Sequence, residues 1–158
     1  MQLGICRPSS SPWASPLHMV PKEDGSWPVV GDYRALNNCT VADAYPLPHI
    51  HDFSIAFAGC TVFSRIDLVR AYNQILVADE DIPKTAVATP FGLFEWTRML
   101  MGLRNSAQTF QRFIDDILRD LPFAFAYLDD LLIARPNLNC MKNIFVSFFN
   151  VWRNTASL

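Results

Sequence analysis

Three carboxylates stand out by their positions. Asp67 closes the segment Thr61-Val62-Phe63-Ser64-Arg65-Ile66, which is rich in β-branched and aromatic residues. Asp129 and Asp130 fall between two apolar runs, residues 123–127 and 131–134. An Asp-Asp pair taken alone reads most simply as a solvated turn. A charge set against apolar strands must otherwise be paired or hold a metal. If the strand ending at Asp67 neighbours the strands around Asp129, the carboxylates converge into a hard-oxygen site suited to Mg²⁺. Two such ions can clamp the attacking and leaving oxygens of an in-line phosphoryl displacement. In a straight strand Asp129 and Asp130 would point to opposite faces, and a tight turn at the pair removes that restriction.

The other polar clusters carry less chemistry. Cys6, Cys39, Cys60 and Cys140 show no C-x-x-C spacing, and His18, His49 and His51 complete no zinc pattern. His49 and His51 read as polar residues of a proline-rich loop. Asp115 and Asp116 fall on the solvent side of the helix described below and read as structural.

The catalytic candidates need strands to hold them. Residues 8–28 are dense in proline, which favours extended segments and turns. Residues 17–20 predict a strand, Asp24-Gly25 a hairpin turn, and Val29-Val30 the return towards Asp32-Tyr33-Arg34. That hairpin would project Lys22 and Arg34. Residues 50–57 predict a short helix ending at Gly59, and 61–66 a strand leading into Asp67. Residues 71–77 turn and return. Residues 85–89 and 93–100 read as strands joined by Thr-Pro-Phe-Gly. An apolar stripe through Ala107, Phe110, Phe113, Ile114, Ile117, Leu118 and Leu121 predicts a helix over 105–121. Asn105 would be its N-cap, Gln108 would close a capping box and Pro122 would stop it. Phe145, Phe148, Phe149 and Trp152 predict a final amphipathic helix.

The chain has 158 residues, of which 51% are hydrophobic and 18% charged, so it can bury a core. Its formal charge of −2 argues against a nucleic-acid binder when taken by itself. Ten of its basic residues are arginine and three lysine, a bias towards bidentate phosphate contacts. No secretory leader is visible and no apolar run reaches the ~18 residues of a membrane span, so an intracellular, reducing setting without a membrane is expected.

An ordered series of motifs resembles the reverse transcriptase region of gypsy-like long-terminal-repeat retrotransposons. It runs Ser-Pro-Trp-Ala-Ser-Pro-Leu-His-Met-Val-Pro-Lys (11–22), Gly-Asp-Tyr-Arg-Ala-Leu-Asn (31–37), Tyr-Pro-Leu-Pro-His-Ile (45–50) and Phe-Ser-Arg-Ile-Asp-Leu-Val-Arg-Ala-Tyr (63–72). Then come Glu-Asp-Ile-Pro-Lys-Thr-Ala (80–86), Thr-Pro-Phe-Gly-Leu-Phe-Glu (89–95), Gly-Leu-Arg-Asn-Ser-Ala-Gln-Thr-Phe-Gln-Arg-Phe (102–113) and Tyr-Leu-Asp-Asp (127–130). The resemblance implies an α+β fold: a fingers–palm fragment of a right-hand polymerase, with an antiparallel palm sheet backed by helices and no thumb. Residues 1–42 and 75–105 would be fingers-like and 43–74 and 106–140 palm-like. Residues 141–158 would form a divergent tail, the palm helix.

The implied activity is RNA-directed DNA synthesis with two Mg²⁺ ions, Mn²⁺ being able to substitute. Asp67 and Asp129 match the carboxylates that hold both ions, and Asp130 a less directly coordinating third. Leu68, Val69, Arg70 and Ala71 match the turn whose amides bind the triphosphate. Tyr72 matches the aromatic gate against a 2′-hydroxyl. Lys22 resembles the lysine that reaches the γ-phosphate, Gly102 lies where the backbone passes the nucleotide, and Arg34 belongs to the fingers sheet. Implied partners are a primed RNA or DNA template, deoxynucleoside triphosphates, and thumb and ribonuclease H domains of a longer polyprotein. Two departures stand against this. Trp27 is followed by Pro28-Val29-Val30, where the family has Trp-Arg-Pro and an arginine that touches the incoming nucleotide. Met99-Leu100-Met101-Gly102 replaces Met-Pro-Phe-Gly. Together with the short length they favour a truncated element copy, and the alternative expectation is an inactive remnant serving at most as an interaction module. An unrelated hydrolase using the same carboxylates lacks a candidate nucleophile or base.

Overall fold

The computed structural model describes residues 4–19, 21, 25, 29–127 and 130–137. The chain folds as two compact units, Met1–Asp43 with Tyr72–Ser106, and Ala44–Ala71 with Ala107–Leu158. Lys22, Asp24, Leu128, Asp129 and the expected tail helix lie outside the described residues.

The first unit is built from short strands. β1 (Cys6–Pro8), β5 (Val87–Thr89) and β6 (Gly92–Trp96) form an antiparallel sheet in the order β1-β6-β5. β2 (Leu17–Met19) and β3 (Val29–Gly31) pair separately, with Leu17 opposite Gly31. Proline density explains the short strands, since each proline removes a ladder donor. The β5–β6 turn is held by Thr89, whose hydroxyl donates to the Gly92 carbonyl and accepts from the Phe91 amide, at 2.7 and 3.1 Å. Opposite each other on β1 and β6, Arg7 and Glu95 form an ion pair at 2.7 Å, and the Ser9 hydroxyl donates to the same carboxylate at 2.6 Å. The Ser9 bond, then Arg7, holds the Glu95 carboxyl below its usual range.

Several expected boundaries move in this unit. Strand 85–89 loses its start to a 3₁₀ turn, Ile82–Thr85, which Pro83 initiates. Strand 93–100 stops at Trp96, beyond which Arg98 makes only an isolated bridge to Leu76. Residues 71–74 form a 3₁₀ turn. Arg34 is not in the sheet: it opens helix α1 (Arg34–Cys39), because Asp32 caps its backbone amide at 3.1 Å and turns the chain out of β3.

Tyr33 anchors this core. It is 2% exposed and donates to the Thr85 carbonyl at 3.0 Å. A Cβ on Gly31 would lie 2.7 Å from the Tyr33 ring, so glycine is required at that position. Burial pushes the Tyr33 phenol well above its ordinary range. A raised folded-state pKa means the stabilisation is complete below the unfolded value near pH ~10 and is lost as pH rises beyond it. Tyr33→Phe is expected to lower stability by about 1 kcal/mol at neutral pH and to flatten the alkaline decline. Urea midpoints measured across neutral to alkaline pH check both; an unchanged alkaline slope would exclude Tyr33 as its source.

The second unit is a three-stranded antiparallel sheet with helices. Its order is β4 (Val62–Asp67), β8 (Asp130–Arg135), β7 (Ala124–Tyr127). Alternation assigns its two faces. Ala124, Ala126, Leu131 and Ile133 share one face and are buried with Phe110 and Ile114 of α3 (Ser106–Leu118). Gln111, 1% exposed, donates to the Ala126 carbonyl at 3.3 Å and to Asp115 at 2.9 Å, which ties α3 to β7. On the other face, Phe53 and Phe57 of α2 (Ile50–Ala56 and its C-cap Phe57) meet Phe125 with ring centroids 6.0 and 5.0 Å apart.

Here too some expectations are corrected. α3 begins at Ser106, directly after Asn105, and ends at Leu118, three residues before the expected end at 121, with a turn to Leu121 preceding Pro122. Asn105 spends its amide on residues 41 and 43. The Gln108 side-chain carbonyl is buried and has no partner among the described residues, so it closes no capping box with Asn105. Asp115 is only partly exposed and is held by partners: it accepts from Tyr45 at 2.8 Å and from Gln111. Asp116 is exposed and pairs with Arg119. His49 is extended at the end of the proline-rich stretch and caps α2, as a loop residue can, whereas His51 lies within the helix. Cys6, Cys39 and Cys60 are free thiols.

Candidate active site

Strand register brings two of the candidate carboxylates together. β4 and β8 run antiparallel with Asp67 opposite Asp130, and β7 sets Tyr127 beside the same Asp130. Asp130 is therefore the first residue of a strand, whereas its sequence suggests a turn. Asp129 precedes it in the chain and lies outside the described residues.

Two like charges directly opposite on a ladder repel. Arg65, two residues before Asp67 on the same face, relieves part of this. Its guanidinium contacts Asp130 Oδ1 at 2.9 and 3.0 Å. The two side chains are 69% and 42% exposed, so the pair is worth at most ~1 kcal/mol and exchanges readily with other partners. Asp67 is exposed and has no ion pair among the described residues. No group of three His, Cys, Asp or Glu side chains that could hold a metal occurs among the described residues. What Asp67 and Asp130 do supply is oxygen alone, which suits Mg²⁺ or Mn²⁺ and disfavours zinc. A cleft of about 350 Å³ lined by Phe53, Phe57, Phe125, Tyr127 and Leu132 lies beside the Arg65–Asp130 pair.

The segment after Asp67 is a tight exposed turn. Val69 is 83% exposed and Ala71 is buried at 3%. Arg70 has φ 54°, the left-handed region that non-glycine residues adopt at a cost of about 1–2 kcal/mol. Such conformations concentrate at ligand clamps. The turn thus sets the exposed Arg70 in the same unit as Asp67 and Asp130.

The remaining candidates belong to the other unit. Tyr72 is half-buried in the 3₁₀ turn Ala71–Gln74, and its carbonyl accepts from the Ile75 amide at 3.2 Å. Gly102 is exposed with φ 96°, and a Cβ there would meet nothing within 4 Å. Arg34 is held by Asp32 through bonds of 2.6 to 3.0 Å, and His18 lies 3.5 Å from the same carboxylate. The Arg34 bonds first, with a lesser contribution from His18, hold Asp32 far below the usual carboxylate range. Arg65, Asn37 and Gln111 were given no role from sequence, and Asn105 only that of a helix cap. Arg65 carried a signal, since it shares the period-2 face of Asp67, and Gln111 falls on the apolar stripe of α3.

Comparison with known proteins converges on one family. Residues 20–156 match the sequence profile of the reverse transcriptase (RNA-dependent DNA polymerase) family. The Pol polyprotein of the Drosophila melanogaster transposon 297 is 42% identical over 142 residues, covering 85% of this chain and 13% of the polyprotein. That of transposon opus, from the same fly, is 38% identical over 140 residues, covering 84% and 14%. The Tf2-3 polyprotein of Schizosaccharomyces pombe is 36% identical over 135 residues, covering 84% and 10%. The chain thus spans about a seventh of the length of these fly relatives, or slightly less. Among solved structures, the foamy viral protease–reverse transcriptase in complex with double-stranded DNA superposes with a TM-score of 0.85 at 25% identity, over 98% of this chain and 27% of that one. The crystal structure of the CSH mutant of the prototype foamy virus protease–reverse transcriptase gives 0.85 at 24% identity, covering 98% and 21%. With its antiparallel sheets and this sequence kinship, the chain belongs to the reverse transcriptase family, as a fingers–palm fragment of the long-terminal-repeat retrotransposon type.

Proposed function

We infer that this chain carries the polymerase centre of an RNA-directed DNA polymerase. The observation that supports it most is the placement of Asp67 opposite Asp130 at the end of an apolar sheet, next in sequence to Asp129. The unit containing Asp67 is palm-like in this reading and the unit containing Arg34 fingers-like. Asp67, Asp129 and Asp130 would hold two divalent cations, whose chemistry is to neutralise the triphosphate and favour the ionised 3′-hydroxyl. The primer 3′-oxygen attacks the α-phosphorus of a deoxynucleoside triphosphate, the bond to the β-phosphate oxygen breaks, and pyrophosphate leaves. Amides from Leu68 to Tyr72 cradle the triphosphate, with Arg70 adding positive charge. Lys22 reaches the γ-phosphate, the Tyr72 ring excludes a 2′-hydroxyl, and Gly102 lets the backbone approach the nucleotide. Arg34 completes the fingers side. The template is a primed RNA or DNA strand, the setting is intracellular, and thumb and ribonuclease H domains would be further parts of the polyprotein.

Mg²⁺-dependent incorporation on a primed RNA template tests this. Wild type is expected to incorporate, and Asp129→Ala to fall to background. A second reading, a folded interaction module without polymerase activity, is favoured by Pro28-Val29-Val30, which lacks the family's nucleotide-contacting arginine. Equal background from wild type and Asp129→Ala would select it.

A further inference from the structure

Two asparagines hold each other's stretch of chain. Asn37, in α1, donates from Nδ2 to the Gly102 carbonyl at 2.8 Å and accepts at Oδ1 from the Arg104 amide at 2.8 Å. The Arg104 guanidinium returns to the Asn37 carbonyl at 3.0 Å. In the reverse direction, Asn105 Oδ1 accepts from the Asp43 amide at 3.0 Å and Nδ2 donates to the Val41 carbonyl at 2.8 Å. Each side-chain amide thus satisfies one acceptor and one donor two residues apart, as a paired strand would. Neither stretch is a strand, so these bonds replace a ladder that the local sequence does not form.

Gly102 makes such a clamp necessary. It has no side chain to pack, its φ is 96°, and the space around it is open. A glycine loses more freedom on ordering than any other residue. Bonds at 102 and 104 restrain the turn from outside, and a turn ordered before its ligand arrives binds more tightly.

We propose that Asn37 and Asn105 are positioning residues: their reciprocal clamp fixes the Gly102 turn and so sets deoxynucleotide affinity. This rests on Gly102 as the nucleotide-facing turn of the polymerase reading. Asn37→Asp keeps the acceptor for Arg104 but turns a carboxylate oxygen on the Gly102 carbonyl, severing that bond. The expected result is a rise in deoxynucleotide KM of about tenfold, with kcat and primer–template affinity nearly unchanged. A purely structural role would lower all of them together. Amide exchange on the full chain without nucleotide gives a second readout. Asn37→Ala should speed exchange at Arg104, and Asn105→Ala at Asp43, each by about tenfold. An active wild type with an unchanged KM in Asn37→Asp overturns the proposal, as does unchanged exchange at both amides. An inactive wild type overturns the polymerase reading instead, and exchange then decides the clamp alone.

Discussion

Asp67→Asn is expected to lower Mg²⁺-dependent incorporation by at least ~10³-fold, equivalent to about 4 kcal/mol of transition-state stabilisation. The same substitution should leave the fold as stable as before or raise its stability by ~0.2–1 kcal/mol. The opposite signs follow from the register. Asp67 stands directly opposite Asp130, so the fold itself gains nothing from the second charge. Arg65 bonds to Asp130 and not to Asp67. A carboxylate that weakens its own sheet is kept for what it binds, and removing it trades activity for stability. Single-turnover incorporation and a urea midpoint on the same preparation measure both effects. Retention of activity within tenfold would sink the metal-ligand assignment. A large loss of stability would mean that Asp67 serves the sheet.

The largest effect on stability is expected at Phe110. This side chain is fully buried at 0% exposure and lies on the apolar stripe of α3. Phe110→Ala removes the ring and leaves a cavity among Ile114 and its neighbours, a cost of about 3–5 kcal/mol. A domain of this size has only ~5–15 kcal/mol in total. The unit containing α3 should therefore lose much of its cooperativity, seen as a lower urea midpoint. Phe110→Leu retains most of the volume and should cost clearly less. If Phe110→Ala shifted stability by less than about 1 kcal/mol, the packing of α3 on the sheet would be wrong. Because Gln111 bonds to the Ala126 carbonyl, the same loosening would reach β7 and the strand that begins at Asp130.

Elements with strong periodicity were legible from sequence. The stripe through Phe110, Ile114 and Ile117 marked α3, because burial on one face imposes the period, and the β-branched and aromatic residues before Asp67 marked β4. Boundaries governed by single bonds were not. Asn105 looks like a helix cap, yet its amide is taken by Val41 and Asp43, sixty-odd residues away in the chain. Arg34 looks like a strand residue, yet Asp32 two positions earlier turns it into a helix start. Asp115 looks solvated, yet Tyr45 and Gln111 both donate to it. Local preference is worth a few tenths of a kcal/mol per residue, and one long-range hydrogen bond outweighs it.

By itself the sequence determined the family, the three candidate carboxylates and the strand and helix that flank them. Motif order and apolar period are properties of the chain, and folding does not change them. Only the tertiary structure decided which carboxylates meet. The register of β4 on β8 sets Asp67 against Asp130, and a slip of one residue would have turned one of them to the opposite face. It also decided that Arg65 neutralises one carboxylate of the pair, and that two asparagines distant in sequence restrain the Gly102 turn. Those relations depend on distances between segments that the order of residues along the chain does not contain.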